Sequence, residues 1–461
     1  MKYPYLFCCF VAGALGAAAQ DRAPAGGGGY QPPVAECVSA AQRQQIEAEL
    51  AANTARLRQQ GVLPAPGAAR PAVVPLSWPL RQAAGFDYAN LYGISNFVDH
   101  NPAFPNAVQD FNCGTRTYDT SGGYNHAGTD IFLWPFSYNM MDRGQAEIVA
   151  AAPGVIVGRF DGNFDRNCAL SNANWNAVYV QNADGTVCWY GHMKSGSVTP
   201  KAVGATVALG EKLGTVGSSG SSTGPHLHFE LHSPGGAVLD PYSGPCSPAA
   251  SAWATPRTYY ESGVNTLLTH SAAPVFNACP NPDTPNESSA FMAGNSLFFA
   301  AYYHDQLAAQ QTQYTVFRPD NSVFATWTHA STAAHYAASY WYWSYSLPGN
   351  APTGVWRFQA QYQGTVTTRT FTVGVVNAAA ATARPALYAL YPNPATDAVR
   401  LTGPLPVARV QVLNPLGQVV RTATHLAQPT LDLAGLPARG LYLVRLLRAD
   451  GTVEQHKLLL E

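Results

Sequence analysis

Residues 176–193, NAVYVQNADGTVCWYGHM, hold two runs in which apolar and polar residues alternate, separated by an Asp184-Gly185 step. Alternation with a period of two gives an extended strand one face for a core. Asp-Gly supplies the left-handed backbone that a tight hairpin needs. Similar runs, bounded by Gly, Asn and Asp, recur at EIVAAAPGVIVGRF (147–160) and ATVALGEKLGTVG (205–217). The chain is therefore expected to be mainly β. Its 41 Gly and 35 Pro in 461 residues favour turns over long helices, and its 24 Tyr and 9 Trp suit strands. Charged residues make up only 11% and the net charge is −1, which argues against binding to nucleic acid or to an anionic membrane surface.

The order of segments suggests several domains. Lys2, the apolar stretch from Tyr5 to Gly16 and Ala17-Ala18-Ala19 read as a signal peptide over 1–19, too short to span a bilayer. No other segment has membrane length. Residues 20–77 read as a linker and helical N-terminal segment. The Gly/Pro-rich 22–34 is expected to be flexible, and Glu36 to Gln60, free of Gly and Pro, to be helical. This segment is either a pro-segment covering a site or a spacer. Residues 78–248 carry the first β domain. Residues 249–376 are expected to form an immunoglobulin-like antiparallel sandwich whose aromatic residues serve mainly as core. A linker follows at 377–386 and a small β-sandwich at 387–461. After signal removal six cysteines remain, Cys37, Cys113, Cys168, Cys188, Cys246 and Cys279, which suggests disulfides in an exported chain. Cys168 with Cys188 is the favoured pair, because they flank one expected strand at Ala177–Gln181.

Three elements in the first β domain could carry chemistry: His126 and Asp130 in NHAGTDI, His192 in WYGHM, and His226 with His228 in GPHLHFEL. Residues two apart on a strand share a face, so His226 and His228 project together while Leu227 and Phe229 enter the core. Two His and one Asp meet the three-ligand count of a catalytic zinc site, leaving two His for proton transfer. No HExxH helix is present, so a thermolysin-like glutamate base is not indicated. Glu230 shares the face of His228 and suits a supporting role. His232 shares it too, and is read as an edge residue rather than a ligand.

With these motifs in order, the segment at about residues 120–242 resembles the lysostaphin/LytM-like, or β-lytic, zinc metallopeptidases of peptidase family M23. HAGTD (126–130), AAPGVI (151–156), YGHM (190–193) and STGPHLHFEL (222–231) carry the resemblance. It implies one Zn2+ on His126, Asp130 and His228, with His192 and His226 catalytic. It also implies hydrolysis of peptide bonds in peptidoglycan cross-links or Gly-rich proteins through a zinc-activated water. No matched position is substituted. The last 75 residues or so resemble the sorting domain of the type IX (Por) secretion system, through YPNP (391–394), VLNPLGQVV (412–420), LAGLPARGLYLVRL (433–446) and KLLL (457–460). This implies export through the periplasm and the type IX machinery to the medium or the cell surface. The alternative from another class is a non-catalytic surface or cell-wall binding protein with a structural zinc; it predicts loss of a non-ligand histidine, and both are present. A third reading makes the middle sandwich an adhesin served by the peptidase.

Overall fold

The computed structural model describes residues 20–31, 38–65, 74–374, 388–403, 407–414, 419–426, 430–436, 439–447 and 453–461. The expected signal peptide, Cys37 and the 377–386 linker lie outside these residues. The fold is mainly β. The chain divides into two compact units, residues 1–376 and 377–461.

In the first unit the alternating runs form an antiparallel sheet. Its strands lie in the order Thr206–Val207, Gly154–Phe160, Ala177–Asn182, Val187–Gly191, His226–His232, Thr129–Leu133 and Tyr92–Asn96, and Val238–Leu239 pairs with the end of His226–His232. The hairpin expected at Asp184-Gly185 forms, with Gly185 at φ 85°. One face of the sheet buries Ile131, Leu133, Val178, Val180, Cys188, Tyr190, Leu227 and Phe229 in a single core. A second sheet of three strands, Lys212–Thr215, Ala146–Val149 and Leu80–Gln82, closes that core from the side.

Residues 249–374 contribute most of a sandwich of two sheets around Phe299, Tyr303, Tyr314, Trp327, Trp343, Trp356 and Phe358. The aromatic density of this segment is therefore core. The outer face of one sandwich sheet is covered as well. Leu268, Ala300, Tyr302 and Ala338 pack on Phe132, Trp134 and Phe136 of the first sheet, with Tyr30 and Phe276 alongside. The segments read as 78–248 and 249–376 thus share one compact unit.

Residues 22–34, expected to be flexible, instead contain a strand. Gly26–Tyr30 pairs antiparallel with Ala338–Tyr342 at the sandwich edge. The glycine run makes this possible: a Cβ at Gly29 would stand 2.3 Å from the Tyr336 ring. Composition indicated a mobile chain, but a strand edge offers a bare backbone its hydrogen bonds.

The disulfides also differ from expectation. Cys113 bonds Cys246, and Cys168 bonds Cys279 rather than Cys188. The alternation of its strand turns Cys188 into the sheet core, where it is a buried free thiol, while Cys168 sits on a loop beyond it. Cys168–Cys279 closes 111 residues and ties the first sheet to the sandwich segment. Replacing both cysteines by serine should destabilise this unit by about 2–5 kcal/mol, read as a lower denaturant midpoint. A midpoint equal to that of the parent protein would mean the bond adds nothing.

Two buried sandwich histidines set an acid limit. His270 donates from Nδ1 to the Pro285 carbonyl and accepts from the Tyr302 hydroxyl, and His304 donates from Nδ1 to Asn265 Oδ1. Burial pushes both rings down to about 4. The unfolded chain protonates first as pH falls, so their stabilisation is complete above about pH 6.5 and is lost progressively down to about pH 4, by roughly 3 kcal/mol for each ring. The denaturant midpoint should drop between about pH 7 and pH 4.5, and less steeply in His304→Gln. Equal slopes for parent and variant would refute the assignment.

Helix α1, Ala40–Gln59, opens on a Ser39/Gln42 capping box. Only three of its twenty residues, Ile46, Leu50 and Leu57, are buried. At about 1.5–3 kcal/mol each, these three side chains are its main apolar anchorage.

The second unit has a three-stranded sheet, Ala389–Tyr391, Ala398–Thr402 and Thr430–Asp432. Its four-stranded sheet runs Val419–Leu426, Val407–Leu413, Gly440–Leu447 and Val453–Leu460. Val399, Leu401, Val410, Val412, Leu431, Val444, Leu446 and Leu458 form its core. The expected VLNPLGQVV hairpin has its two strands paired, and its turn, 415–418, lies outside the described residues.

Candidate metal centre

Strand register assembles the site. His228 lies opposite Asp130 on one side and Gly191 on the other, and Asp130 lies opposite Asn96. Directly opposed residues share a face, so Asn96, Asp130 and His228 form a row across three strands. His126 precedes strand Thr129–Leu133 and folds back to the same point. A bare Gly191 lets the Trp175 ring come close, since a Cβ there would meet the ring at 2.2 Å.

Hydrogen bonds orient each ring. His126 Nδ1 donates to the Phe97 carbonyl at 2.6 Å, turning its Nε2 lone pair toward Asp130 Oδ2 at 3.2 Å and His228 Nδ1 at 3.3 Å. His228 lies between two carboxylates, with Nε2 2.8 Å from Glu230 Oε1 and Nδ1 also 2.8 Å from Asp130 Oδ1. Carbonyls and carboxylates only accept, so His126 carries its N–H on Nδ1, whereas His228 has a carboxylate at each nitrogen and would free Nδ1 only for a bound cation. One ligand atom from each of His126, Asp130 and His228 lies within 4.8 Å of the others. Acceptor atoms converging in a buried place require a cation or a proton among them. Their types, two imidazoles and a carboxylate with one position left open, fit zinc. Burial pushes the Asp130 carboxyl up, but His126, His228 and His226 outweigh it and hold it well below the usual carboxylate range.

His192 and His226 stand beside this trio with ring centroids 4.3 Å apart. His192 Nδ1 donates to the Ser219 carbonyl at 2.6 Å, and His226 Nδ1 to the Gly224 carbonyl at 2.8 Å. Each ring is thereby held as the tautomer whose Nε2 can take a proton. His226 Nε2 is 3.7 Å from Asp130 Oδ1. His192 has a left-handed backbone, φ 58°, a conformation uncommon for non-glycine residues. All five residues singled out in the sequence therefore meet at one place.

The structure adds residues that no local motif announced. Asn96 donates from Nδ2 to Asp130 Oδ2 at 3.0 Å. Tyr118 stacks on His126 at 4.6 Å, and Trp175 lies 5.1 Å from His192. Glu230, expected from strand parity to have a supporting role, accepts four bonds, from His228 Nε2, His232 Nε2 and, as the sequence did not show, both terminal nitrogens of Arg43 on helix α1. Burial opposes its charge, but Arg43 and the two histidines keep it well below the usual carboxylate range. His232 Nδ1 lies 3.0 Å from the Gly236 carbonyl and its ring stacks on Trp189 at 4.3 Å, away from the converging trio.

Residues 125–241 match peptidase family M23, and residues 389–461 match the secretion system C-terminal sorting domain. Among solved structures the chain is similar to the catalytic domain of the antimicrobial peptidase lysostaphin from Staphylococcus simulans. Identity is 23% over 35% of this chain and 96% of that one, with a TM-score of 0.19. It is also similar to full-length lysostaphin, at 16% identity over 54% and 82% with a TM-score of 0.20. The chain carries an M23 peptidase domain and a Por sorting domain. The match of residues 125–241 supports a peptidase, and the sorting domain indicates secretion by the type IX system to the cell surface or beyond. Among the described residues no helix is long and apolar enough to cross a membrane.

Proposed function

We propose that this protein is a zinc metalloendopeptidase that cleaves peptide bonds in peptidoglycan cross-links or Gly-rich proteins. The observation that carries this reading is the convergence of His126 Nε2, Asp130 and His228 Nδ1 beside two imidazoles whose Nδ1 atoms are each held on a backbone carbonyl. His126, Asp130 and His228 would hold the metal. Zinc bound there supplies Lewis acidity, polarising a carbonyl oxygen and lowering the pKa of a water to about 7.

The chain's own groups supply the remainder. His192 and His226 are the proton carriers: Nε2 of one accepts a proton as water adds to the scissile carbon. The same proton then passes to the leaving nitrogen as the C–N bond breaks. The other ring, protonated or donating, balances negative charge on the carbonyl oxygen. The Ser219 and Gly224 carbonyls keep both rings oriented throughout. Asn96 and Glu230 position Asp130 and His228. Export by the type IX route would bring this chemistry to cell-wall or extracellular polypeptide.

The test is metal content of the purified full chain, with hydrolysis of peptidoglycan and of a pentaglycine peptide. About one zinc per chain and chelator-sensitive cleavage is the expected result. Hydrolysis that survives complete metal removal would end the metallopeptidase reading.

A further inference from the structure

A polar cleft of about 330 Å³ opens where the first sheet meets the sandwich. One wall is Ser95 and Asn96, at the end of the sheet's edge strand, with Thr115, Arg116 and Thr117 of the loop beyond it. His335, at the start of a sandwich strand, faces them across the cleft. Two of the wall residues reach the metal centre. Asn96 donates to Asp130 Oδ2 at 3.0 Å. Thr117 donates from Oγ1 to the Phe97 carbonyl at 2.8 Å, the same carbonyl that accepts from His126 Nδ1. One side chain therefore separates the cleft from Asp130, and one shared carbonyl from His126.

The chemistry of these walls favours negative charge. Arg116 and His335 both line the cleft, and no Asp or Glu is among its described lining residues. One buried carboxylate, Asp305, stands behind the two basic side chains. Its Oδ1 accepts from Arg116 Nη2 and from His335 Nε2, each at 2.9 Å, and its Oδ2 from the Glu261 N–H. Arg116 is fixed further by donating to the Ile94 and Tyr259 carbonyls, with its guanidinium over the Phe97 and Tyr259 rings at 4.9 and 5.3 Å. It is 9% exposed, and its Nε–H has no partner among the described residues. The cation is thus held in place before any ligand arrives, which lowers the entropy cost of binding. Neutral donors stand beside it. Ser95 Oγ accepts from Asn96 Nδ2 at 3.1 Å, so its own hydrogen remains to donate, and the Thr115 hydroxyl lies at the rim. The volume lies within the range of small-ligand sites, roughly 300–1,000 Å³.

We propose that this cleft is a substrate subsite that takes a carboxylate-bearing residue of the cleaved polypeptide, with the sandwich supplying one of its walls. The inference rests on the peptidase reading of the adjacent centre and names its substrate class, a peptide with an acidic residue close to the cleaved bond. A carboxylate in the cleft receives charge-assisted hydrogen bonds from the basic side chains and neutral ones from the hydroxyls. Asn96 lies between it and Asp130, so an anchored carboxylate sets the register of the peptide against the centre. A substrate of glycine alone leaves the cleft unused.

The test uses the full chain and pentaglycine extended at either end by one Glu or, as the neutral isostere, one Gln. Hydrolysis by the zinc-loaded protein is read as kcat/KM, and binding to the metal-free protein as Kd by calorimetry. At one end, Glu should be preferred over Gln by about ten-fold or more in both quantities. Thr115→Glu, which sets a like charge at an exposed wall position, should abolish the preference, and Thr115→Gln should keep it. No preference at either end, or one that survives Thr115→Glu, would overturn the subsite. Equal loss in both Thr115 variants would overturn the charge assignment. In a protein that cleaves, a preference in Kd that is absent from kcat/KM would put the anion outside the substrate path and overturn the proposal as well. Glu-selective binding with no hydrolysis of any peptide would keep the carboxylate site and sink the peptidase reading. Chelator-sensitive hydrolysis that is equal for Glu and Gln, with equal Kd, would do the reverse.

Discussion

His228→Ala should lose the metal, whereas His192→Ala should keep it and lose the activity. His228 presents Nδ1 to the point where His126 Nε2 and Asp130 meet, so removing its ring leaves two protein ligands where a catalytic zinc needs three. Metal content should fall from about one per chain toward zero, and hydrolysis with it. His192 belongs to the neighbouring pair, whose ring nitrogens are ordered by the Ser219 and Gly224 carbonyls. Removing a general base of this kind lowers the rate by roughly 10²–10⁴-fold without touching the ligand set. His226→Ala should behave like His192→Ala. Metal analysis and hydrolysis on the same preparations separate the roles. A His192→Ala protein that loses its metal would move His192 among the ligands, and one that keeps full activity would remove it from the chemistry.

Glu230→Ala is expected to carry the largest stability cost of any single change near the site. Glu230 is fully buried and accepts from Arg43, His228 and His232. Burial opposes both charges, yet Glu230 is held well below the carboxylate range and Arg43 is pushed up, so the pair is ionised. Removing one partner of such a pair strands the other's charge, at about 3–5 kcal/mol. It also frees His228 Nε2, and losing a bond that orients a metal ligand typically weakens metal affinity about 10–100-fold. Thermal unfolding and a zinc titration read the two effects separately. Glu230→Gln keeps the shape but sets its amide N–H₂ against a donor, and should fall between Glu230→Ala and the parent. A Glu230→Ala protein within about 0.5 kcal/mol of the parent would show that water replaces the carboxylate at no cost.

Much of the site was readable because its parts obey short-range rules. His226 and His228 share a face by strand parity, and the same parity turns Leu227 and Phe229 into the core. The supporting residues were not readable in this way. Asn96 reaches Asp130 only because Tyr92–Asn96 happens to be the strand beside Thr129–Leu133. Arg43 is one of several arginines on a polar helix, and nothing within 187 positions of it points to Glu230. Trp175 touches the histidines because Gly191 leaves room for its ring.

From the sequence alone one can derive the β class, the hairpin at Asp184-Gly185, a helix within 36–60 and the five residues that the fold brings together. Each depends on backbone period, turn chemistry or side-chain type, which act over a few residues. Only the tertiary structure decided that Cys168 meets Cys279, that the glycine run at 26–29 becomes an edge strand, and that α1 lies on the site face. Those outcomes depend on which distant surfaces find each other. Here a bare glycine backbone, the facing direction of one cysteine and a buried carboxylate needing a cation made the choice among partners that local pattern leaves equivalent.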